Sequence, residues 1–367
     1  MNIPTYGLFV GRYILLIYKK MEAIEMGFEK ISDQINAEML LQTYQLSGAD
    51  LELKNKRDAE LRDILSGKDS RFLAVIGPCS AHDEEAVMEY VHRLSKIQDK
   101  VANEVFIIPR IYTNKPRTNG DGYKGMLHQP SAQGTTNLLQ GIKAVRHIHH
   151  RVITETGLTT ADEMLYPENL EYVKDLLSYI AIGARSVEDQ QHRFVASGID
   201  QPVGMKNPTS GQLNVMFNSI YAAQQQQEFI YNNQEVKTSS NPYAHVVLRG
   251  GLDAYGKNIP NYHYEDLLKV KEQYADSELL NPFVVVDTNH DNSGKKHLEQ
   301  IRIVKEVLSS REWNKDLQPL VRGFMIESFL ENGRQEVDGN VFGQSITDPC
   351  LGWKETEELL YTLAKSK

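Results

Sequence analysis

The chain has 367 residues, of which 41% are hydrophobic and 24% charged. This composition is typical of a folded globular protein and unlike that of disordered, fibrous or disulfide-scaffold chains. Lys and Arg number 40 against 49 Asp and Glu, which gives a net charge of −9 and argues against nucleic acid as a partner. At about 150 residues per domain, the length allows two domains or one large α/β barrel with additions.

The cysteine content and the N-terminal segment bear on where the protein works. The two cysteines, Cys79 and Cys350, cannot form a disulfide framework and favour a reducing compartment, so we expect a cytoplasmic protein. Residues 1–26 contain only a short apolar run and lack the features of a secretory signal. We therefore expect no membrane partner and treat 1–26 as an N-terminal extension whose status is open, with Met21 or Met26 as an alternative start.

Residues 27–70 have the pattern of a polar helix that precedes the main fold. The apolar residues that recur at loose helical spacing are Ile31, Ile35, Met39, Leu40 and Leu51. The pattern predicts an N-terminal helical arm over 27–70 and a catalytic barrel over 71–367.

After residue 70, short apolar or β-branched runs alternate with turns and helical patterns, which is typical of βα units. Eight runs lie near 72–77, 105–112, 158–163, 179–185, 202–206, 244–250, 282–288 and 320–327. Eight repeats favour an α/β fold of the (β/α)8 TIM barrel type over a doubly wound sheet, and no GxGxxG loop follows the first run. The long connections 113–157 and 207–243 are predicted insertions that serve a site, an interface or a regulator.

Two polar runs are assigned no chemistry. His147 and His150 share one face of an amphipathic helical pattern while His149 points elsewhere, so we expect a solvated or interface helix face and not a metal cluster. The glutamine run at 224–227 is likewise predicted to be a surface helix.

Cations collect where the predicted strands end, which is where barrel enzymes carry their reacting groups. They are Arg110, Arg185, Lys206 and Arg249, with Lys115, Arg117 and Lys124 in the loop after the second strand. One such residue alone is more often a solvated surface charge, but the set predicts an anionic substrate that carries phosphate and carboxylate groups.

A second set consists of Cys79, His290, Glu327 and Asp348, most of them at strand ends of the same face. Thiolate, imidazole and carboxylate ligands suit iron, manganese, cobalt or zinc better than calcium. A small buried thiol is the ordinary interpretation of Cys79 alone, and nucleophilic Cys–His catalysis is a rival use of the set. Metal-assisted addition fits the nearby cations and the two carboxylates better.

Eight motifs together resemble one family. They are GPCSAHD at 77–83, KPRTNGDGYKG at 115–125, IGARSVEDQQHR at 182–193, GMKNPTSG at 204–211, VLRGG at 247–251, DTNHDNSGK at 287–295, MIES at 325–328 and GQSITDPCLGW at 343–353. From about residue 30 onward the chain resembles the type I 3-deoxy-D-arabino-heptulosonate 7-phosphate (DAHP) synthases, which are aldolase-type barrels. Such enzymes join phosphoenolpyruvate to erythrose 4-phosphate, release phosphate and open the shikimate pathway to aromatic amino acids.

The resemblance implies a role for each matching residue. It assigns phosphoenolpyruvate to Arg110, Lys115, Glu163, Arg185, Lys206 and Arg249, with Lys124 at the border of the pocket. The sugar phosphate would be held by Lys115, Pro116, Arg117 and Thr118, and the divalent metal (manganese, iron, cobalt or zinc) by Cys79, His290, Glu327 and Asp348. Asp287 would lie beside the metal and the aldehyde.

Regulation and assembly are also implied. In enterobacterial relatives an aromatic amino acid binds near the fifth and sixth strands, against the N-terminal arm of a neighbouring subunit. Here the connection before VLRGG is shorter, and Asp200 and Tyr231 replace small hydroxyl residues of the phenylalanine-sensitive members. We therefore expect a homodimer or homotetramer and leave open whether tyrosine, phenylalanine, tryptophan or no amino acid inhibits it.

Three alternatives stand beside the synthase. One is a phosphoenolpyruvate-condensing barrel that uses another phosphosugar, such as arabinose 5-phosphate, although KPRT followed by NGDGYKG matches the erythrose 4-phosphate loop. The others are a non-catalytic regulatory homologue and a metal-dependent aldolase that releases no phosphate.

Overall fold

The computed structural model describes Gly27, Ile31 and residues 37–366. The predicted extension over 1–26 and most of 28–36 lie outside the described residues. The strands are β1 (Phe72–Gly77), β2 (Val105–Pro109), β3 (Thr160–Glu163), β4 (Leu177–Ile182), β5 (Val203–Lys206), β6 (Glu228–Tyr231), β7 (Gln234–Lys237), β8 (His245–Leu248), β9 (Gly251–Leu252), β10 (Asn258–Ile259), β11 (Val284–Asp287) and β12 (Val321–Glu327). The α-helices are α1 (Ala37–Thr43), α2 (Gly48–Leu65), α3 (Glu84–Val101), α4 (Leu138–Thr156), α5 (Gln190–Ala196), α6 (Leu213–Ala223), α7 (Tyr264–Ala275), α8 (His290–Ser293), α9 (Glu299–Trp313) and α10 (Trp353–Lys365), and 3-10 helices cover Pro167–Tyr172 and Lys315–Leu317.

Eight parallel strands form a barrel, which confirms the predicted fold class. Their order is β2-β1-β12-β11-β8-β5-β4-β3, and β2 meets β3 through the single backbone bridge between Arg110 and Ala161. Each predicted run overlaps one of these strands, although β4 begins two residues before its run. All eight are buried along their whole length, as expected when helices cover one face and the barrel core the other, so they read as continuous apolar runs.

Helix α2 packs against the core of the barrel. Its residues Leu61, Ile64 and Leu65 belong to the same buried cluster as side chains of the barrel strands, such as Leu73 and Phe106. Polar contacts reinforce this packing, because Arg57 Nη2 donates to Ile107 O at 2.7 Å. The segment is thus part of the folded barrel unit, which begins at residue 37.

The prediction of one polar helix over 27–70 is wrong in detail. Within the described residues the segment forms two helices, α1 and α2, which break between Thr43 and Gly48. Met39 and Leu51 are 63% and 44% exposed, whereas Leu40 is buried. Loose helical spacing therefore selected several solvent-facing positions, because the segment packs mainly through residues near the end of α2.

The two long connections are built differently. Residues 113–137 form an irregular loop before α4, and 207–243 contain α6 and the antiparallel hairpin of β6 and β7. The surface helix predicted over 224–227 is wrong: α6 ends at Ala223, and Gln224 is buried and donates through Nε2 to Ala244 O and Leu280 O, both at 3.0 Å. No helix in the described part of the chain is both long enough and apolar enough to cross a membrane.

The histidine run lies on α4 as predicted, but its members differ in environment. His147 Nδ1 lies 3.0 Å from Glu84 Oε1 at a half-exposed position. His149 is fully buried, and its Nδ1 is 2.9 Å from Thr160 Oγ1. As predicted, His149 points away from the face that His147 and His150 share, and it lies in the space between α4 and β3.

Candidate active site

The candidate active site is a cavity of about 240 Å³ that the ends of the barrel strands line. Seven cationic side chains and three carboxylates face it, so a chain with net charge −9 has a locally cationic pocket. The cationic residues are Arg110, Lys115, Arg117, Arg185, Lys206, Arg249 and Lys295, and the acidic ones are Glu163, Asp291 and Asp348. Such a pocket attracts small anions.

Three of the four predicted metal ligands converge at this cavity. One ligand atom from each of Cys79, Glu327 and Asp348 lies within 4.8 Å of the others, and Cys79 Sγ is 3.4 Å from Asp348 Oδ2. Burial, with a further contribution from Glu327, raises the pKa of the Cys79 thiol to about 11. A thiolate and two carboxylates packed together out of water need a cation to remain charged, so the donor set fits a divalent transition metal.

Lys115 supplies part of the compensating charge. Its Nζ is 2.7 Å from Cys79 Sγ and 3.1 Å from Asp348 Oδ2. Burial disfavours the ammonium, yet Cys79 and Asp348 hold the pKa of Lys115 above its ordinary value. Lys115 therefore connects the candidate metal group with the loop that carries the predicted sugar-phosphate residues.

His290, the fourth predicted ligand, stands next to this group. Its Nε2 is 3.7 Å from Glu327 Oε1, and its Nδ1 is 2.8 Å from Asp287 Oδ2. Burial disfavours the charged form of Asp287, but His290 and Lys206 bring the pKa of Asp287 below its ordinary value. A carboxylate behind an imidazole is the arrangement that commonly orients a metal-bound histidine, so His290 fits the same donor set.

Four of the cations predicted to bind phosphoenolpyruvate have carboxylate partners, and two of them are Lys206 and Arg249. Lys206 Nζ lies 3.7 Å from Glu163 Oε2 and 3.5 Å from Asp287 Oδ2, and its side chain is 3% exposed. Arg249 forms a buried ion pair with Asp291. Burial is severe at both cations, and a buried cation is stable only with such a partner.

Arg110 links the anion pocket to the metal group. Its Nη2 donates to Glu327 Oε1 at 3.0 Å, and its guanidinium stacks 3.6 Å from the centre of the Tyr112 ring. Burial opposes its charge, but Glu327 holds the pKa of Arg110 above its ordinary value. Arg185, by contrast, has no ion pair within 4.0 Å among the described residues, although it lines the cavity.

The predicted sugar-phosphate loop divides between the cavity and the surface. Lys115, Pro116 and Arg117 line the cavity, and Arg117 Nε donates to Tyr123 O at 2.8 Å. Thr118 and Lys124 are exposed and lie outside the cavity lining. The structure therefore brings together all the predicted side chains of this loop except these two.

Sequence reasoning missed several residues of the cavity. Asp291 and Lys295 follow His290 in the motif DTNHDNSGK, and Lys295 Nζ lies 2.8 Å from Asp348 Oδ1. Tyr112 supplies the aromatic face beneath Arg110. A signal for the first two exists in the sequence, since both stand within five residues of His290, a predicted ligand.

Residues 45–361 match the DAHP synthetase I family. The chain belongs to this family. It is 36% identical over 314 residues to the Trp-sensitive phospho-2-dehydro-3-deoxyheptonate aldolase of Escherichia coli K12, covering 83% of this chain and 87% of the relative. It is 35% identical to the Tyr-sensitive enzyme of Salmonella typhimurium, with 83% and 85% covered.

A solved structure agrees with this assignment. The phospho-2-dehydro-3-deoxyheptonate aldolase of Francisella tularensis SCHU S4 matches with a TM-score of 0.84 at 33% identity, covering 93% of this chain and 98% of that chain. The predicted family, barrel fold and enzyme class are therefore confirmed at the level of the DAHP synthase family. Members of this family are generally metal-dependent, and the described residues include a group that could hold a metal.

Proposed function

We propose that this DAHP synthase family member condenses phosphoenolpyruvate with erythrose 4-phosphate and water, giving DAHP and phosphate, inside the cation-lined cavity. The observation that supports this most directly is the joint placement of the Cys79, Glu327 and Asp348 group with seven cationic side chains around one cavity of about 240 Å³. Two small phosphorylated substrates need the cations, and an aldehyde addition benefits from the metal.

Arg185, Lys206 and Arg249 would bind the carboxylate and phosphate of phosphoenolpyruvate. Arginine forks suit both groups, and Lys206 is fixed between Glu163 and Asp287. Holding the substrate at both anionic ends presents its C3 to the aldehyde in a fixed direction, which converts binding energy into rate.

Cys79, His290, Glu327 and Asp348 would hold the divalent metal, as manganese, iron, cobalt or zinc. When bound there, the metal supplies a Lewis acid that orients and polarises the aldehyde of erythrose 4-phosphate. Asp287 keeps the His290 ring in place through its 2.8 Å contact with Nδ1. The phosphate of the same substrate would reach Lys115, Pro116 and Arg117.

The reaction forms one carbon–carbon bond and breaks the bond between C2 and the phosphate oxygen. The C2–C3 double-bond electrons of phosphoenolpyruvate form the new bond to the aldehyde carbon, and the aldehyde oxygen takes a proton that the Lys115 ammonium is placed to donate. Water adds to the cationic C2, beside the carboxylate of Glu163, which accepts a proton. The C2–O bond to phosphate then breaks with its electron pair leaving on phosphate, the proton of the C2 hydroxyl passes to the departing phosphate, and C2 becomes the ketone.

A separate cavity of about 520 Å³ supports regulation by an aromatic amino acid. It lies beside the β6–β7 hairpin and includes Phe229, Tyr231 and Asp200 in its lining. The names of the Trp-sensitive and Tyr-sensitive relatives point to this class of effector. Measuring initial rates with each of phenylalanine, tyrosine and tryptophan tests the assignment, and the absence of inhibition by all three would refute it.

The proposal includes a homodimer or homotetramer and a cytoplasmic location. Ile230 on the hairpin is 76% exposed, which is consistent with a covered position in an oligomer. Both cysteines are free thiols, which suits a reducing compartment. Size-exclusion chromatography of the full chain and of a chain lacking residues 1–30 measures the oligomer and the contribution of the N-terminal segment.

The central experiment supplies phosphoenolpyruvate, erythrose 4-phosphate and manganese and measures phosphate and DAHP together. We expect equimolar products and no turnover after chelation, and Arg117→Ala should raise the KM for erythrose 4-phosphate. Arg93→Ala, on an exposed ion pair with Glu89 of α3, is the matched control and should leave both substrate KM values unchanged. Preferred use of arabinose 5-phosphate, or condensation without phosphate release, would reject the synthase.

A further inference from the structure

Asp162 is a buried carboxylate at the end of β3 that the reaction scheme does not use. It precedes Glu163 in the chain, and it is 4% exposed. Neighbouring residues of a strand point to opposite faces, so the Asp162 side chain lies on the side of β3 away from Lys206. Buried carboxylates are costly unless hydrogen bonds satisfy them, so its partners indicate its purpose.

Its two oxygens accept hydrogen bonds from both sides of one strand junction. Oδ1 accepts from Thr113 N at 3.0 Å and from Glu163 N at 2.7 Å. Oδ2 accepts from the Thr113 hydroxyl, and His149 Nε2 lies 3.5 Å from the same oxygen. His149 is in turn 2.9 Å from Thr160 Oγ1.

The junction between β2 and β3 is the most weakly paired one in the barrel. The other seven junctions each pair three or more residues of both strands, whereas β2 and β3 share only the bridge of Arg110 with Ala161 and the 2.9 Å bond from Ile111 N to Ala161 O. Beyond that point the Thr113 amide has no strand partner. The Asp162 carboxylate takes the place of the missing backbone acceptor, which a buried N–H requires.

Both segments that Asp162 joins carry substrate residues. Thr113 is two residues before Lys115, whose Nζ is 2.7 Å from Cys79 Sγ. Glu163, whose amide Asp162 also binds, has its carboxylate 3.7 Å from Lys206 Nζ. A displacement at this junction would therefore move two parts of the cavity at once.

We propose that Asp162 is a positioning residue that holds the Lys115 loop and Glu163 in register across the β2–β3 junction. The expected changes in kcat and KM rest on the proposed function, whereas the expected change in backbone order at this junction does not. Misplacing reacting groups by about 1 Å can cost about 100-fold in rate, so the effect on turnover should exceed the effect expected from lost stability alone.

Two substitutions separate this role from general support of the fold. Asp162→Ala removes all three hydrogen bonds, and we expect kcat/KM to fall about 100-fold, with a lower kcat as well as a higher KM. Asp162→Asn keeps an oxygen for the two backbone amides and should recover most of that loss. The recovery by the conservative variant is a result that a purely steric role does not require.

Gln98 of α3 provides a matched control, because it also bonds the backbone of a strand at the β2–β3 junction. It is a buried side chain that bonds the β2 backbone at the other end, from Nε2 to Val105 O at 2.8 Å and from Ile107 N to Oε1 at 2.7 Å. Gln98→Ala should lower the free energy of unfolding while kcat and both KM values stay near those of the parent chain. Equal kinetic losses in Gln98→Ala and Asp162→Ala would overturn the positioning role.

Hydrogen exchange decides the question independently of catalysis. We expect the amides around Thr113 to exchange at least about 10-fold faster in Asp162→Ala than in the parent chain, with smaller change in Asp162→Asn, because the exchange rate follows local opening. Unchanged exchange over 111–118 would refute the inference. If the parent chain shows no turnover, the proposed function is rejected. The hydrogen-exchange comparison still tests the positioning role of Asp162, because it does not depend on turnover.

Discussion

Metal binding to this site should release a proton, because the Cys79 thiol must ionise to become a ligand. In the metal-free protein, burial raises the pKa of Cys79 to about 11, so the thiol is protonated at neutral pH. One competing proton makes the apparent metal affinity rise about tenfold per pH unit between pH 6 and 9. Acidification therefore weakens metal binding, and the metal affinity becomes independent of pH only when the pH exceeds the pKa of the Cys79 thiol.

Titration calorimetry with Mn²⁺ in buffers of different ionisation enthalpy measures that proton directly. We expect about one proton released from Cys79 per metal bound at pH 8. Cys79→Ser should remove this proton and weaken binding by more than about 100-fold, since even a supporting residue outside the ligand set can cost 10-fold to 100-fold. The fold should persist, because Lys115 remains 3.1 Å from Asp348 Oδ2.

Cys350 is the matched control for this prediction. It is also fully buried, and burial raises the pKa of its thiol well above the ordinary value, but its sulfur is not among the grouped ligand atoms. Cys350→Ser should keep the proton release and the metal affinity of the parent chain. Metal affinity that is independent of pH in the parent chain, or full affinity in Cys79→Ser, would refute the assignment of Cys79 as a ligand.

Three further predictions address the pocket, the N-terminal packing and the core. Lys206→Met should lower kcat/KM about 100-fold to 1,000-fold in the coupled phosphate assay, because it removes a preorganised cation beside two carboxylates, and activity within threefold of the parent would contradict its role. Arg146→Ala should lower the free energy of unfolding in urea by about 3 kcal/mol, since it removes two charged hydrogen bonds of 3.1 and 2.9 Å from the buried guanidinium to the half-buried carbonyls of Leu41 and Tyr44, while kcat stays unchanged. Burial lowers the pKa of His245 to about 4, so as pH falls this imidazole is protonated in the unfolded chain before it is protonated in the folded one. About 3 kcal/mol of the free energy of unfolding is therefore lost between pH 6.5 and pH 4. His245→Gln should remove this loss when the free energy of unfolding in urea is measured over the same pH range.

The barrel and the residues at its opening could be predicted because the parallel strands leave a clear pattern in the sequence. Buried strands read as continuous apolar runs, and their last residues must meet at one end. Arg110, Lys206 and Glu327 could therefore be assigned to one face without knowledge of any contact. The short segment before the barrel was harder to predict, since α2 packs through only a few residues near its end, such as Ile64, and these are not the apolar residues on which the prediction rested.

Which charges pair inside the pocket could not be read from the sequence, because pairing depends on side-chain direction and not on position along a strand. The set of cations predicted an anionic substrate, but it did not predict that Arg249 is paired with Asp291 or that Lys206 Nζ lies 3.5 Å from Asp287 Oδ2. These carboxylates are the reason that buried cations are tolerable before substrate arrives. A phosphate that binds Arg249 as proposed must share the guanidinium with Asp291 or displace this carboxylate. The affinity for phosphate then reflects the difference between the two anionic partners of Arg249 and not the full attraction of its guanidinium.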